Sequence, residues 1–398
     1  MKFSEYHIDK RIKERLEALG LKRPTDIQYK SIFPILKGED VFAVAPTGTG
    51  KTAAFVIPVL DAILKDKKRK GISCLCMVPT RELAEQIANV FNELSEGAGV
   101  NAFALFGGVS QDKQIKQFKS GVDVLITTPG RMFDLISQGH LDVTHVKTLV
   151  LDEADLMLDL GFQKDVLDVL RHLPKKKQTL FFSATINKKV KSLAYTVGKD
   201  AIRIQISPKT TVARSVEHVV AFIEMDDKRF FLENIIKENE ESRVLVFVRT
   251  RVRAERVVKA MDRVGVEAVF IHGDVEQKDR FAILNSFKKG DQKVLVTTDV
   301  AARGIDIPNV DIVVNYDIPD NAENYVHRCG RTGRGTNTGF AISFCSEGER
   351  ELLQAIEEYT GEQITHYELS KGEYEQIKWD TEDTSYDWQS LLDEEEDW

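Results

Sequence analysis

Two short segments carry residue types that together could hold and cleave a nucleoside triphosphate. The first, Ala45-Pro46-Thr47-Gly48-Thr49-Gly50-Lys51-Thr52, follows a strand-like run over 40–44 and opens a helix. A glycine-bearing loop wraps phosphates with backbone N–H groups, Lys51 reaches the β and γ phosphates, and Thr52 offers a hydroxyl to magnesium. The second, Asp152-Glu153-Ala154-Asp155, emerges from the apolar run 146–151, so carboxylates end a neighbouring buried strand. Asp152 is the expected magnesium residue, through water because Mg2+ dehydrates reluctantly, and Glu153 the expected base for the attacking water. Each half is weak alone. Ala45 stands where the generic phosphate loop begins with glycine, and an acidic run is also a plain helix cap.

Further motifs surround these two in a fixed order. They are Arg23-Pro24-Thr25-Asp26-Ile27-Gln28, Pro79-Thr80-Arg81-Glu82-Leu83, Gly107-Gly108, Thr128-Pro129-Gly130-Arg131 and Ser183-Ala184-Thr185. Then come Val246-Phe247-Val248-Arg249-Thr250, Gln277 with Arg280, the run from Thr298 to Asp306, and the run from His327 to Arg334. On these residues the chain resembles the DEAD-box RNA helicases, as a minimal two-domain core of bacterial type, over residues 3–335. The resemblance implies two tandem RecA-like domains, ATP and Mg2+ as cofactors, and RNA as partner. It implies RNA-stimulated ATP hydrolysis coupled to local unwinding of short duplexes or remodelling of RNA–protein complexes. An ATP-gated RNA clamp that scarcely unwinds is the alternative. A DNA translocase on the same plan is disfavoured by the glutamine motif and by Asp-Glu-Ala-Asp itself.

The same resemblance distributes roles. Gln28, whose amide carries both donor and acceptor, is expected to read adenine. Leu21 stands where an aromatic residue commonly stacks on the base, so modest nucleotide affinity is expected. Gly304 is expected to admit a phosphate to the backbone and Asp306 to bond the ribose. Asp155, Ser183 and Thr185 are implied to couple nucleotide state to RNA grip. Arg331 and Arg334 are implied arginine fingers, sharing one face if their stretch is helical, with Arg328 pairing with the acidic motif across the cleft. The implied RNA-facing set is Arg81, Gly107, Gly108, Thr128, Arg131, Thr250, Arg280 and Thr298. It offers guanidinium, hydroxyl and backbone N–H groups without an aromatic ladder. Recognition of single-stranded and duplex RNA should therefore be blind to sequence.

Positioning such residues needs parallel strands buried on both faces. Apolar runs that fit them recur in two blocks. In the first they fall at 41–45, 73–78, 122–127, 149–151 and 179–183, and in the second at 243–248, 268–272, 293–297, 310–316 and 339–345. The expected fold is α/β, two domains each with a parallel sheet covered by helices, and with the motifs beyond the carboxyl ends of the strands. Residues 1–207 form the expected first domain, 208–215 the linker, 216–365 the second domain and 366–398 an acidic, disordered tail. At 398 residues two domains are the prior, and 42% apolar with 30% charged residues is an ordinary globular balance.

Net charge is −8, yet residues 366–398 hold twelve Asp or Glu and two Lys, a net of −10, leaving +2 for residues 1–365. RNA binding must then rest on a local groove of Arg and Lys. Acidity with Trp379, Trp388 and Trp398 makes that tail a solubilising spacer, a competitor of RNA, or a docking segment for a protein partner. No run of about 20 apolar residues is present and the first residues lack the apolar stretch of a signal peptide. The four cysteines lack zinc spacing and read as buried thiols of a reducing compartment. A cytoplasmic monomer without membrane contact is expected.

Overall fold

The computed structural model describes residues 2–381 except 47, 108–110, 119–120, 199, 207–215, 273–274, 276, 303–304, 306, 308–309 and 334–337. Of the expected site residues, Thr47, Gly108, Gly304, Asp306 and Arg334 therefore lie outside the described residues, as do the linker and residues 382–398. The chain divides into two compact units, one of residues 1–209 with 304–306 and one of residues 210–303 with 307–398.

Among the described residues the first unit contains seven short strands: β1 Val41–Val44, β2 Cys74–Met77, β3 Ala102–Leu105, β4 Val124–Thr127, β5 Thr148–Leu151, β6 Gln178–Ser183 and β7 Ile202–Gln205. They lie in the order β3-β4-β2-β5-β6-β1-β7, all parallel. Alternate strand residues feed opposite cores, as the period of two requires. Ala43, Cys76, Ile126, Val150 and Phe182 pack with Phe55 and Phe91 on one face. Val44, Met77, Leu125, Leu151 and Phe181 pack with Met132, Val169 and Leu193 on the other. The edge strands β3 and β7 were not among the expected strands. β7 buries only Ile204, so its sequence alternates and lacks the continuous apolar run of a strand covered on both sides.

The second unit contains β8 Val216–Phe222, β9 Val244–Val248, β10 Ala268–Ile271, β11 Val294–Thr298, β12 Ile312–Asn315, β13 Gly339–Cys345 and β14 Thr365–His366. Their order is β10-β11-β9-β12-β13-β8-β14, again parallel. Strand for strand this is the first sheet's order, so the chain carries one topology twice.

The expectation of disorder from residue 366 fails for the first half of the tail. β14 pairs with β8, Leu369 packs on the second core, and a helix, Lys371–Thr381, follows it there through Tyr374 and Ile377. The Tyr374 ring lies 4.9 Å from Phe231; its hydroxyl donates to Asp227 Oδ2 (2.8 Å) and accepts from Glu224 N (3.1 Å). Lys378 pairs with Asp227 at 3.3 Å. Averaging charge over the whole tail hid these few apolar anchors, which are enough to seat a helix on an existing core. Trp379 sits on that helix, 75% exposed, so tryptophan emission does not report on a free tail alone.

All four cysteines are free buried thiols. A buried ion pair organises the second unit: Lys228 Nζ lies 2.5 Å from Glu349 Oε2, with both side chains almost wholly enclosed. Glu349 also accepts from Ile318 N (3.1 Å), Ser346 N (3.1 Å) and Arg249 Nη2 (3.3 Å). The loops after β9 and β12 are thereby tied together.

His218 on β8 gives this unit an acid limit. Its Nδ1 lies 3.0 Å from the Tyr325 hydroxyl, and burial holds its pKa down, from 6.5 to about 4. Because the folded state resists protonation, the stabilisation is complete above pH 6.5 and is lost as pH falls toward 4, up to about 3 kcal/mol. Urea melts across that window should show the loss, and His218→Gln should flatten it. An unchanged acid limb in that variant would remove His218 as the cause.

Candidate active site and nucleic-acid interface

The phosphate loop runs from the carboxyl end of β1 into the helix Lys51–Lys65. Ala45 is fully buried, donates its N–H to Ser183 O (3.1 Å) and accepts from Lys51 Nζ at 2.8 Å. Glu153 is the one non-glycine residue at positive φ among the described residues, so position 45 needs no glycine and its methyl group fills the core. Gly50 does need one: φ is +89°, and a Cβ there would collide with Gln28 Nε2.

Gln28 is buried and bonded to the protein at both ends of its amide, each end keeping one bond to spare. Its Oε1 accepts from Thr25 N (3.0 Å), closing a capping box on the helix Asp26–Leu36, and its Nε2 donates to Gly50 O (3.0 Å). The side chain expected to read adenine therefore also holds the phosphate loop's backbone, a link that sequence did not reveal. Leu21, at the stacking position, is 44% exposed.

Asp152 and Glu153 follow β5. Asp152 is buried, and desolvation raises its carboxyl to about 6 against the opposing pull of the Lys51 ammonium. Glu153 takes φ 49°, ψ 49°, a left-handed backbone that bends its N–H onto Asp152 Oδ1 at 3.0 Å. For a residue with a Cβ this conformation costs roughly 1–2 kcal/mol, the kind of strain that collects at working sites. Asp155, buried one turn on, accepts at Oδ2 from Thr185 N (3.0 Å), and Ser183 Oγ donates to Thr185 O (2.9 Å). A continuous hydrogen-bonded path thus runs from the acidic motif through Thr185 and Ser183 to Ala45.

The RNA-facing candidates gather on the other strands of the same sheet. Arg81 opens the helix after β2, Gly107 follows β3, and Thr128 and Arg131 open the helix after β4. Arg81 Nη2 and Arg131 Nη2 each come within 4.0 Å of the point a Cβ on Gly107 would occupy. In the second unit Thr250 follows β9 and caps the helix Arg251–Arg263, accepting from Arg253 N at 3.2 Å. Its hydroxyl hydrogen stays available to a phosphate. Thr298 ends β11 and accepts from Ala301 N at 3.4 Å; Arg280, on the helix after β10, donates to Ala301 O at 2.9 Å.

Two expectations for the second unit are corrected. Arg328, expected to pair with the acidic motif across the cleft, is buried within its own unit. It forms a bidentate pair with Asp299 (2.6 and 2.7 Å) and donates to Asp317 O (2.7 Å) and Asn315 Oδ1 (3.3 Å). Asp299, following β11 in the same unit, offers both carboxylate oxygens to the planar fork of the guanidinium. Arg331 is not helical, because the helix Ala322–Cys329 ends before it. Nor does it lie beyond a carboxyl strand end. Thr332 beside it pairs with Val310, ahead of β12, because the helix has run back along the sheet. Arg331 itself is buried.

The candidate nucleoside-triphosphate site thus lies on the first of two repeated α/β units. The family model "DEAD/DEAH box helicase" matches residues 25–193, and "Helicase conserved C-terminal domain" matches residues 227–336. The ATP-dependent RNA helicase DbpA of Bacillus subtilis is 37% identical over 371 residues, 93% of this chain and 77% of that protein. The ATP-dependent RNA helicase DBP3 of Meyerozyma guilliermondii is 41% identical over 337 residues, 84% of this chain. The chain spans only 63% of the length of DBP3. Among solved structures, S. cerevisiae Dbp5 bound to RNA and ADP BeF3 aligns with a TM-score of 0.84 at 29% identity, over 94% of this chain and 98% of that one. The chain belongs to the DEAD-box helicase family.

Proposed function

We propose that the chain is an ATP-dependent RNA helicase in which RNA-stimulated ATP hydrolysis locally separates short duplexes or remodels RNA–protein complexes. One observation carries this reading. In both sheets the same three adjacent positions, β3-β4-β2 and β10-β11-β9, carry the RNA-facing residues at their ends or in the loops and helices that follow them. The nucleotide residues of the first sheet follow the next strands, β5-β6-β1. Phosphate loop, acidic motif and RNA-facing helix starts therefore share one sheet edge, with β2 and β5 as the border. Helix N-termini and arginines suit a phosphate backbone, so recognition follows RNA's shape and charge without reading sequence.

Lys51 supplies the charge for the β and γ phosphates, and Gln28 reads the adenine edge with the bonding capacity its two protein contacts leave. Glu153 orients and deprotonates the attacking water. The donor set fits a hard divalent cation: Asp152 is a buried carboxylate kept from easy ionisation by desolvation, with Lys51 and the Thr52 hydroxyl beside the same loop. Asp152 and Thr52 would hold Mg2+, which when bound polarises the phosphoryl oxygens. The path Asp155–Thr185–Ser183–Ala45 couples the acidic motif to the phosphate loop. Arg331 and Arg334 are assigned the charge stabilisation of the transferred phosphoryl group. Free buried cysteines support a reducing, cytoplasmic setting, and no helix among the described residues is long and apolar enough to cross a membrane.

Steady-state ATPase with and without RNA or DNA, set beside strand separation of a short RNA duplex, tests the proposal. RNA, and not DNA, should raise turnover and duplex should separate. Turnover indifferent to RNA would refute it, and RNA held through ATP without strand separation would select the clamp.

A further inference from the structure

We infer that Gln114 is a positioning residue for RNA, setting the Arg131 guanidinium over Gly107. The inference rests on the reading above that Arg81, Gly107 and Arg131 contact RNA. Gln114 lies on the helix Gln111–Phe118 between β3 and β4, and its sequence context gives no sign of a role. Only 5% of it is exposed, unusual for a glutamine on a surface helix. Its two amide ends are used differently. Nε2 donates to Phe106 O (3.2 Å), the carbonyl just before Gly107, while Oε1 accepts from Arg131 Nη1 (2.9 Å).

One buried amide therefore fixes the guanidinium to the backbone of the loop it overhangs. That matters because Arg81 Nη2 and Arg131 Nη2 converge on the open side of Gly107. Two guanidinium groups facing one point offer converging donors to an anion. An arginine side chain has many rotamers, and each hydrogen bond it makes narrows them. Gln114 holds Arg131 in place before the phosphate arrives, so less conformational freedom is lost on binding. A glutamine does this without cancelling the charge the phosphate needs, which a carboxylate in its place would partly do.

The test is a double-mutant cycle on the full chain with single-stranded RNA as probe. Gln114→Met keeps the buried volume and removes both hydrogen bonds. It should raise the RNA half-saturation roughly tenfold, the scale of one lost charge-assisted hydrogen bond. Nucleotide affinity should hold. The slope of log affinity against log salt should shrink by about 0.7, one phosphate contact on a single strand. In an Arg131→Ala background Gln114→Met should add little, because the two act as one unit. Gln114→Glu, which keeps an oxygen for Arg131, should fall between Gln114→Met and the native chain. A purely structural role predicts instead that Gln114→Met weakens nucleotide and RNA together and adds its full effect to Arg131→Ala. That additivity, or a native RNA half-saturation in both Gln114 variants, overturns the inference while leaving Arg131 as an RNA contact. If Arg131→Ala alone leaves RNA binding unchanged, the RNA assignment falls and this inference with it.

Discussion

Glu153→Gln should lower RNA-stimulated turnover by about 10²–10⁴-fold, the usual contribution of a general base, while ATP and RNA still bind. The amide keeps the size of the side chain and can still hydrogen-bond a water, but it cannot take a proton. Its backbone is the reason to expect so large an effect from so small a change. Glu153 is held at φ 49° beside the buried Asp152, a conformation that glycine adopts freely and glutamate does not. Glu153→Gly should therefore fold at least as stably as the native chain, by thermal melting, and be as inactive as Glu153→Gln. If either variant turns over ATP at the native rate, Glu153 is not the base. If Glu153→Gln loses ATP affinity as well, it is a binding residue.

Lys51→Ala should abolish ATP binding at millimolar nucleotide and, with it, every downstream activity. A lysine reaching two phosphates contributes charge-assisted hydrogen bonds worth about 1.5–3 kcal/mol each. The structure adds a second loss. The Lys51 ammonium is what opposes the desolvation of Asp152, whose carboxyl already stands at about 6. Removing the ammonium drives that carboxyl higher, so less of it is ionised at neutral pH when a cation must be held. Both effects act in the same direction. Lys51→Arg keeps the charge but is too bulky for a pocket that leaves Lys51 only 6% exposed, and should recover little. Calorimetry with a non-hydrolysed ATP analogue separates binding from turnover; retained affinity in Lys51→Ala would refute the phosphate-loop assignment.

Sequence by itself determined the chemistry's inventory. The placing of Lys51, Thr52, Asp152 and Glu153 at strand ends beside helix starts was legible because strand, loop and helix are local. The central strands β1, β2, β4 and β5 were legible as well, since burial on both faces leaves a continuous apolar signature. Tertiary structure alone decided what these residues touch. Gln28 locking Gly50, Arg328 choosing Asp299, and Gln114 gripping Arg131 are bonds between residues 22, 29 and 17 positions apart. No periodicity or composition encodes such pairings, because a glutamine or arginine reads the same exposed or buried. The left-handed turn at Glu153 was equally silent, since strain is set by what surrounds a residue. The helix Lys371–Thr381 shows the reverse case. Its short, mostly polar sequence gives it little reason to fold alone, and it folds because the second core, completed by other parts of the chain, offers its few apolar side chains somewhere to go.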